Sequence, residues 1–237
     1  MMLDNSIDAL YFAYRQPKAT QIVIREFLKC YPTAKVSLFL DEGGYAPELD
    51  SESESQTIIT KSRGRISASK GGLYLSVFTV KRFLEALTQA SNKDADKLWL
   101  FILEDDVKIF SRINELQFDL NGVNINERLV LRIRVALFLM GYRGSKYLNI
   151  GGFGGSVVRK SILVSHTKEE WARKLWPIIF FSGRPLGSDE VITIMNFMVG
   201  GTAGNYTGLF ETWQTGVEEA IELGQVVTLH KYKEHYE

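Results

Sequence analysis

Three carboxylates in a row, Glu104, Asp105 and Asp106, follow an apolar run from Leu98 to Leu103. Adjacent carboxylates repel one another and are costly to bury unpaired. A hard divalent cation such as Mg²⁺ or Mn²⁺ relieves that cost through oxygen ligands. The same residue types also serve as turn formers or helix N-caps. The preceding run favours the metal reading: short apolar runs suit strands buried on both faces, and open α/β sheets bind ligands beyond the carboxyl ends of their strands. A second acidic pair, Asp189-Glu190, follows Ser188 at the start of an apolar stretch that ends near Val199. Carboxylates there favour the positive end of a helix, with Ser188 as its N-cap. Basic residues cluster in Lys61-Ser62-Arg63-Gly64-Arg65, with Lys70 close behind. They form either a solvated loop or a counter-charge for a diphosphate.

The elements that must position these groups follow from periodicity. Ala9–Tyr14 reads as a first buried strand, followed by Arg15, Gln16 and a helix from Pro17 to about Cys30. Val36–Leu40 is a second strand that runs straight into Asp41-Glu42-Gly43-Gly44, where Asp41 is a turn former or a group for a base or ribose. Ser51–Ser55 is expected to be a surface loop and Thr57–Thr60 a third strand. An amphipathic helix spans about Gly71–Ala90, with Leu73, Val77, Val80, Leu84 and Leu87 on one face. Residues 114–127 are polar and poorly periodic. Arg128–Met140 alternates like a strand but is long enough for a helix, and helix is favoured. Gly151, Gly152, Gly154 and Gly155 flank Phe153, which suits close backbone approach to a ligand or a bulged strand. Thr167-x-x-Glu170 is a capping box for a helix expected to stop before Pro177, with Trp171 and Trp176 as packing residues. Phe180–Gly187 is expected to be a loop, as is Gly200–Gly208, and Gln225–Leu229 a late strand ending at His230.

Ile102-Leu103-Glu104-Asp105-Asp106-Val107 resembles the metal-binding acidic motif of nucleotide-sugar glycosyltransferases of the GT-A fold. The order of strand, helix, strand, strand, helix, strand and then carboxylates is similar to their donor-binding half. The resemblance implies a single Rossmann-like α/β domain with a mostly parallel central sheet and helices on both faces. Residues 1–110 would form the donor half and 111–237 the acceptor half and tail. It further implies that Asp106, Glu104 and a C-terminal His230 hold Mn²⁺ or Mg²⁺. Tyr14, Arg15, Asp41, Arg63, Lys70, Asp105, Gly152 and Lys233 would contact the nucleotide sugar. Asp189, with Glu190 second, would be the general base. The implied partners are a nucleotide diphosphate sugar, UDP-sugar favoured, and a carbohydrate or other hydroxyl acceptor.

With 28 basic and 28 acidic residues the chain is neutral overall, which argues against a general nucleic-acid binder. A single cysteine, Cys30, excludes an intrachain disulfide and a cysteine-based zinc site. The first residues lack the pattern of a signal peptide, and no run approaches the ~20 apolar residues of a membrane span. A cytoplasmic protein without an integral membrane segment is therefore expected. Two other readings remain: a sugar-phosphate nucleotidyltransferase, although Tyr14-Arg15-Gln16-Pro17 lacks the glycine-rich loop such enzymes carry after the first strand, and a non-catalytic nucleotide- or carbohydrate-binding module.

Overall fold

The structure is a computed structural model, and it describes residues 6–13, 17–63, 74–92, 97–104, 112, 115–117, 127–142, 156–200, 205–207, 211–212 and 228–229. Strand β1 (Ile7–Ala13) leads into helix α1 (Pro17–Cys30), then β2 (Val36–Leu40), a short α2 (Ser51–Gln56) and β3 (Thr57–Lys61). A two-residue strand β4 (Tyr74–Leu75) precedes α3 (Val80–Asn92), which returns the chain to β5 (Trp99–Leu103). Then come β6 (Glu115–Gln117), α4 (Glu127–Leu139), β7 (Val157–Arg159), α5 (Lys160–Leu163), α6 (Lys168–Ser182), β8 (Leu186–Gly187) and α7 (Ser188–Met198). Short strands β9 (Asn205–Thr207), β10 (Glu211–Thr212) and β11 (Thr228–Leu229) complete the described elements.

The architecture is α/β. Five strands lie in the order β3-β2-β1-β5-β7, and all neighbours are parallel except β7 against β5. Alternation along β1 sorts its side chains between two cores. Ile7, Ala9, Tyr11 and Ala13 join Phe101, Leu103 and the α1 residues Val23, Ile24 and Phe27. Leu10 joins Leu100, Ile102 and the buried faces of α3, α4, α6 and α7. Side chains of a strand alternate between faces, so a strand buried on both sides is apolar throughout. The two helical layers follow from the order of strands. The chain steps from β1 outward to β3, then crosses back to the other side of β1. Right-handed crossovers running in opposite directions put α1 and α3 on opposite faces. Each fully buried Leu or Phe in these layers contributes roughly 1.5–3 kcal/mol.

At the amino edge of the sheet, Asp8 on β1 and Lys160 at the start of α5 form a buried ion pair of 2.6 Å. The other Asp8 oxygen accepts the Lys35 amide at 2.8 Å. Both carboxylate oxygens are thus satisfied, which is what makes a buried charge tolerable.

Several elements differ from the periodicity. Ser51–Ser55 belongs to α2 because Asp50 caps it, accepting the Ser53 amide at 2.8 Å. Helix α3 begins at Val80, nine residues later than expected, because Leu75 is taken into antiparallel pairing with Leu186 and Ser76–Thr79 forms a turn. Ser76 and Thr79 cap each other there: the Ser76 amide donates to Thr79 Oγ1 at 2.9 Å, and the Phe78 amide donates to Ser76 Oγ at 3.2 Å. Within residues 114–127, three residues pair as β6 with β9, inside the expected Gly200–Gly208 loop. The capping box of Thr167 and Glu170 is present, but α6 continues through Pro177 to a left-handed Gly183. Phe180, Phe181 and Ser182 are therefore helical rather than loop. Proline removes one amide donor and crowds the preceding turn. Ile178 and Ile179, the two residues that follow it, are buried and offset that cost. Trp171 is fully buried, as expected of a packing residue, whereas Trp176 is largely exposed and its indole nitrogen donates to Val77 O at 3.1 Å.

Candidate functional site

The carboxyl edge of the sheet is defined by register. Ala13 pairs with Leu40, Leu40 with Lys61, and Tyr11 with Leu103. Asp41, Arg63 and Glu104 therefore leave the sheet at the same edge, within two residues of the ends of β2, β3 and β5. Because β2 and β5 lie on opposite sides of β1, the crevice between β1 and β5 is the topological switch point, the place where open α/β sheets take ligands. Glu104 is half-buried directly beyond β5, and Arg63 is exposed. Asp41 is held in a turn: its amide donates to Ala13 O at 3.0 Å, its carbonyl accepts Gly44 at 2.9 Å, and its carboxylate accepts the Glu42 amide at 3.1 Å. Gly43 completes that turn at a φ of 77°, a conformation that favours glycine.

The second acidic pair is tied to this edge from the other direction. Helix α3 runs from the carboxyl edge back to the amino edge, and Phe83 near its start stacks on Phe12 near the end of β1, ring centroids 5.5 Å apart. Strand β4 lies just before α3, and β8 pairs with it through Leu75 and Leu186. Helix α7 starts directly after β8, so its positive end belongs to the same end of the molecule.

At that helix start the N-cap is Gly187, not Ser188, which is buried in the first turn. Glu190 reaches back so that its Oε2 accepts the Gly187 amide at 2.7 Å, while its Oε1 receives Arg184 Nη2 at 2.7 Å. Both oxygens of Glu190 are thus engaged in holding the turn. Asp189 has a different position. Its carboxylate sits directly over the Cα of Gly187: a Cβ there would collide with Asp189 Oδ1. Burial pushes the Asp189 carboxyl above its ordinary value, with the neighbouring Glu190 charge adding to the rise. The amides of Glu190 and of Asp189 itself, and the Arg184 guanidinium, pull the other way and only partly compensate. A desolvated carboxylate at a helix start is held in its protonated form more readily than an exposed one. Sequence reasoning missed Gly187 and Arg184. No local signal marked them, because Arg184 lies before β8 and Glu190 within α7, with no shared element to give their spacing a meaning.

Tyr14, Arg15, Lys70, Asp105, Asp106, Gly152, His230 and Lys233 lie outside the described residues. Among the described residues no three His, Cys, Asp or Glu side chains cluster as a metal site. The described member of the expected ligand set Asp106, Glu104 and His230 is Glu104, and two carboxylates with an imidazole are chemically suited to a divalent cation such as Mn²⁺. Burial, with the Glu26 charge second, raises the Cys30 thiol above its ordinary value, which disfavours the thiolate. Among the described residues no helix is long and apolar enough to cross a membrane. No known family model matches the chain, and no curated protein shows detectable similarity to it.

Proposed function

We propose that the protein is a metal-dependent glycosyltransferase of GT-A type that moves a sugar from a nucleotide diphosphate donor, UDP-sugar favoured, to a hydroxyl acceptor. The observation that carries this reading is that two acidic groups belong to the same end of an open, mostly parallel sheet. Glu104, first of three carboxylates, leaves β5 beside the switch point, and Asp189 stands at the start of α7 with its carboxyl raised by burial. Asp106, Glu104 and His230 would hold Mn²⁺ or Mg²⁺, which when bound offsets negative charge on the leaving diphosphate. Asp41, Arg63, Lys70 and Lys233 would orient the nucleotide, together with Tyr14, Arg15, Asp105 and Gly152. Asp189 would accept the proton of the acceptor hydroxyl, while Glu190 and Arg184 fix the turn that carries it. In a retaining reaction Asp189 would instead position the sugar.

The test is titration calorimetry of the protein with UDP and with GDP, each with Mn²⁺ and with EDTA. Heat with one nucleotide that requires the metal and disappears in Asp106→Asn supports the reading. Absence of binding to both nucleotides in Mn²⁺ refutes it.

A further inference from the structure

Strand β3 ends one side of the sheet, and among the described residues no other strand pairs with its outer edge. Free edges are usually blunted by charge or proline. From Thr57 to Thr60 this edge carries neither, and Ile58 and Ile59, one on each face, are 45% and 40% exposed. The direction of its backbone groups follows from its pairing with β2. The Ser62 amide donates to Leu40 O at 2.8 Å, so by the alternation of a strand Ile58 and Thr60 also turn their amides and carbonyls toward β2. Thr57, Ile59 and Lys61 therefore present theirs outward. Such a row is satisfied by another extended backbone, whereas an apolar face accepts any apolar surface.

We propose that β3 pairs antiparallel with β3 of a second copy of the chain, about a two-fold axis perpendicular to the sheet at Ile59, so that the two sheets become one. An axis of that kind keeps each face of the sheet on its own side. Directly opposed residues share a face, so the axis passes through a residue opposed to itself. With Ile59 on the axis, it exchanges both N–H···O bonds with Ile59 of the second copy, and Thr57 does the same with Lys61 on either side. Every outward amide and carbonyl of the strand then has a counterpart. With Ile58 on the axis, Lys61 would instead oppose Ser55, which is helical. Charge favours the same arrangement. Lys61 is exposed and forms no ion pair among the described residues. Its register with Leu40, and that of Thr57 with Val36, puts both on the face covered by α1 and α2. Antiparallel pairing brings Lys61 beside Thr57 of the second copy, where α2 ends. That helix exposes Glu52 and Glu54, which also form no ion pair among the described residues. Neighbouring charges leave this match intact. Asp50 caps α2 and adds to its negative charge, Arg25 acts on Asp50, and alternation puts Lys35 on the opposite face with Ser37. Asp41 and Glu42 follow β2, one strand further from the axis. Parallel pairing would set Lys61 against Lys61, which disfavours it. The contact involves neither Glu104 nor Asp189 and is independent of the chemistry proposed for them.

Sedimentation equilibrium of the full chain over a range of concentrations tests this pairing. The unmodified chain is expected to form a dimer of twice 26.9 kDa that dissociates on dilution. Ile59→Lys places like charges on the axis and should raise the dissociation constant about 100-fold or more. Lys61→Glu should raise it about tenfold, because the axis repeats the contact. Lys61→Glu combined with Glu54→Lys restores opposite signs and should return it to within about threefold of the parent. These side chains are all exposed, so far-UV circular dichroism should match that of the parent. A chain that stays monomeric at every concentration overturns the proposal. So does an Ile59→Lys variant that dimerises as tightly as the parent, or a charge swap that recovers nothing of the loss from Lys61→Glu.

Discussion

Replacing Gly187 with alanine isolates the position of one carboxylate from the stability of the fold. The backbone at Gly187, φ −63° and ψ 153°, accepts alanine without strain. Alanine gains roughly 0.4–1 kcal/mol through the unfolded chain and loses up to about 1 kcal/mol as a poorer N-cap than glycine. These terms nearly cancel, so the melting temperature is expected to move little. The side chain is another matter. The new Cβ would overlap Asp189 Oδ1 and stand 3.4 Å from its Cγ, so the carboxylate must rotate or shift by about 1 Å, a displacement that can cost about 100-fold in rate when the group takes part in the reaction. Removing the proposed base with Asp189→Asn should cost about 10²–10⁴-fold in kcat. The assay is release of nucleoside diphosphate from the donor that calorimetry identifies, with a thermal melt of each variant alongside. The pH dependence supplies a further check. Asp189 holds its proton more tightly in the folded protein than its ordinary value of 3.8 implies. Its favourable contribution to stability is therefore present below that value and is lost as pH rises through the raised folded value. Asp189→Asn should accordingly be at least as stable as the parent at neutral pH while being far less active. The acid limb of the parent's kcat/KM profile should fall above 3.8, as the base must be ionised to act. A kcat within about twofold of the parent in both variants, or Asp189→Asn markedly less stable at pH 7, would refute the assignment of Asp189.

Other outcomes follow from single contacts. Lys160→Ala strands the Asp8 carboxylate inside the protein and should cost about 3–5 kcal/mol in urea denaturation. Lys160→Met together with Asp8→Leu should recover part of it. Thr167→Ala removes the hydroxyl that accepts the Glu170 amide and should cost about 1 kcal/mol, read from the same denaturation curve. Leu84→Ala opens the layer between α3 and the sheet and should cost about 2–5 kcal/mol without altering nucleotide affinity in calorimetry. Glu170 is held below its ordinary value by hydrogen bonds from Thr167, so its contribution is present above the unfolded carboxylate value and fades as pH falls through the lowered one.

Much of the sheet was legible in the sequence because its signals are local. The run Trp99–Leu103 is apolar at every position and Val36–Leu40 at every position but Ser37, because both faces of each strand are covered, and the strands end where the runs end. Pro17 starts α1, and the two-sided pattern of α4 is long enough to settle as a helix. Thr167 and Glu170 lie three residues apart, and the capping box forms as their spacing requires. The limits of local signals are equally physical. Proline predicts a helix end from its own sterics, yet α6 continues because the two isoleucines that follow it are buried against other elements. The stripe from Leu73 to Leu87 suggested one helix, but Leu75 is claimed by a strand more than a hundred residues away.

The candidate site divides along the same line. Residue type and order alone put carboxylates after β5 and at the start of α7, because desolvated acids and helix dipoles leave local marks. Only the tertiary structure joins those two acidic groups to one end of the sheet, through the pairing of β4 with β8 and the packing of Phe83 on Phe12. Only it divides the labour between neighbours, Glu190 holding the turn with Arg184 and Asp189 left over Gly187. That division depends on which side chain the fold buries and which amide it turns inward, quantities set by long-range contacts and carrying no period along the chain.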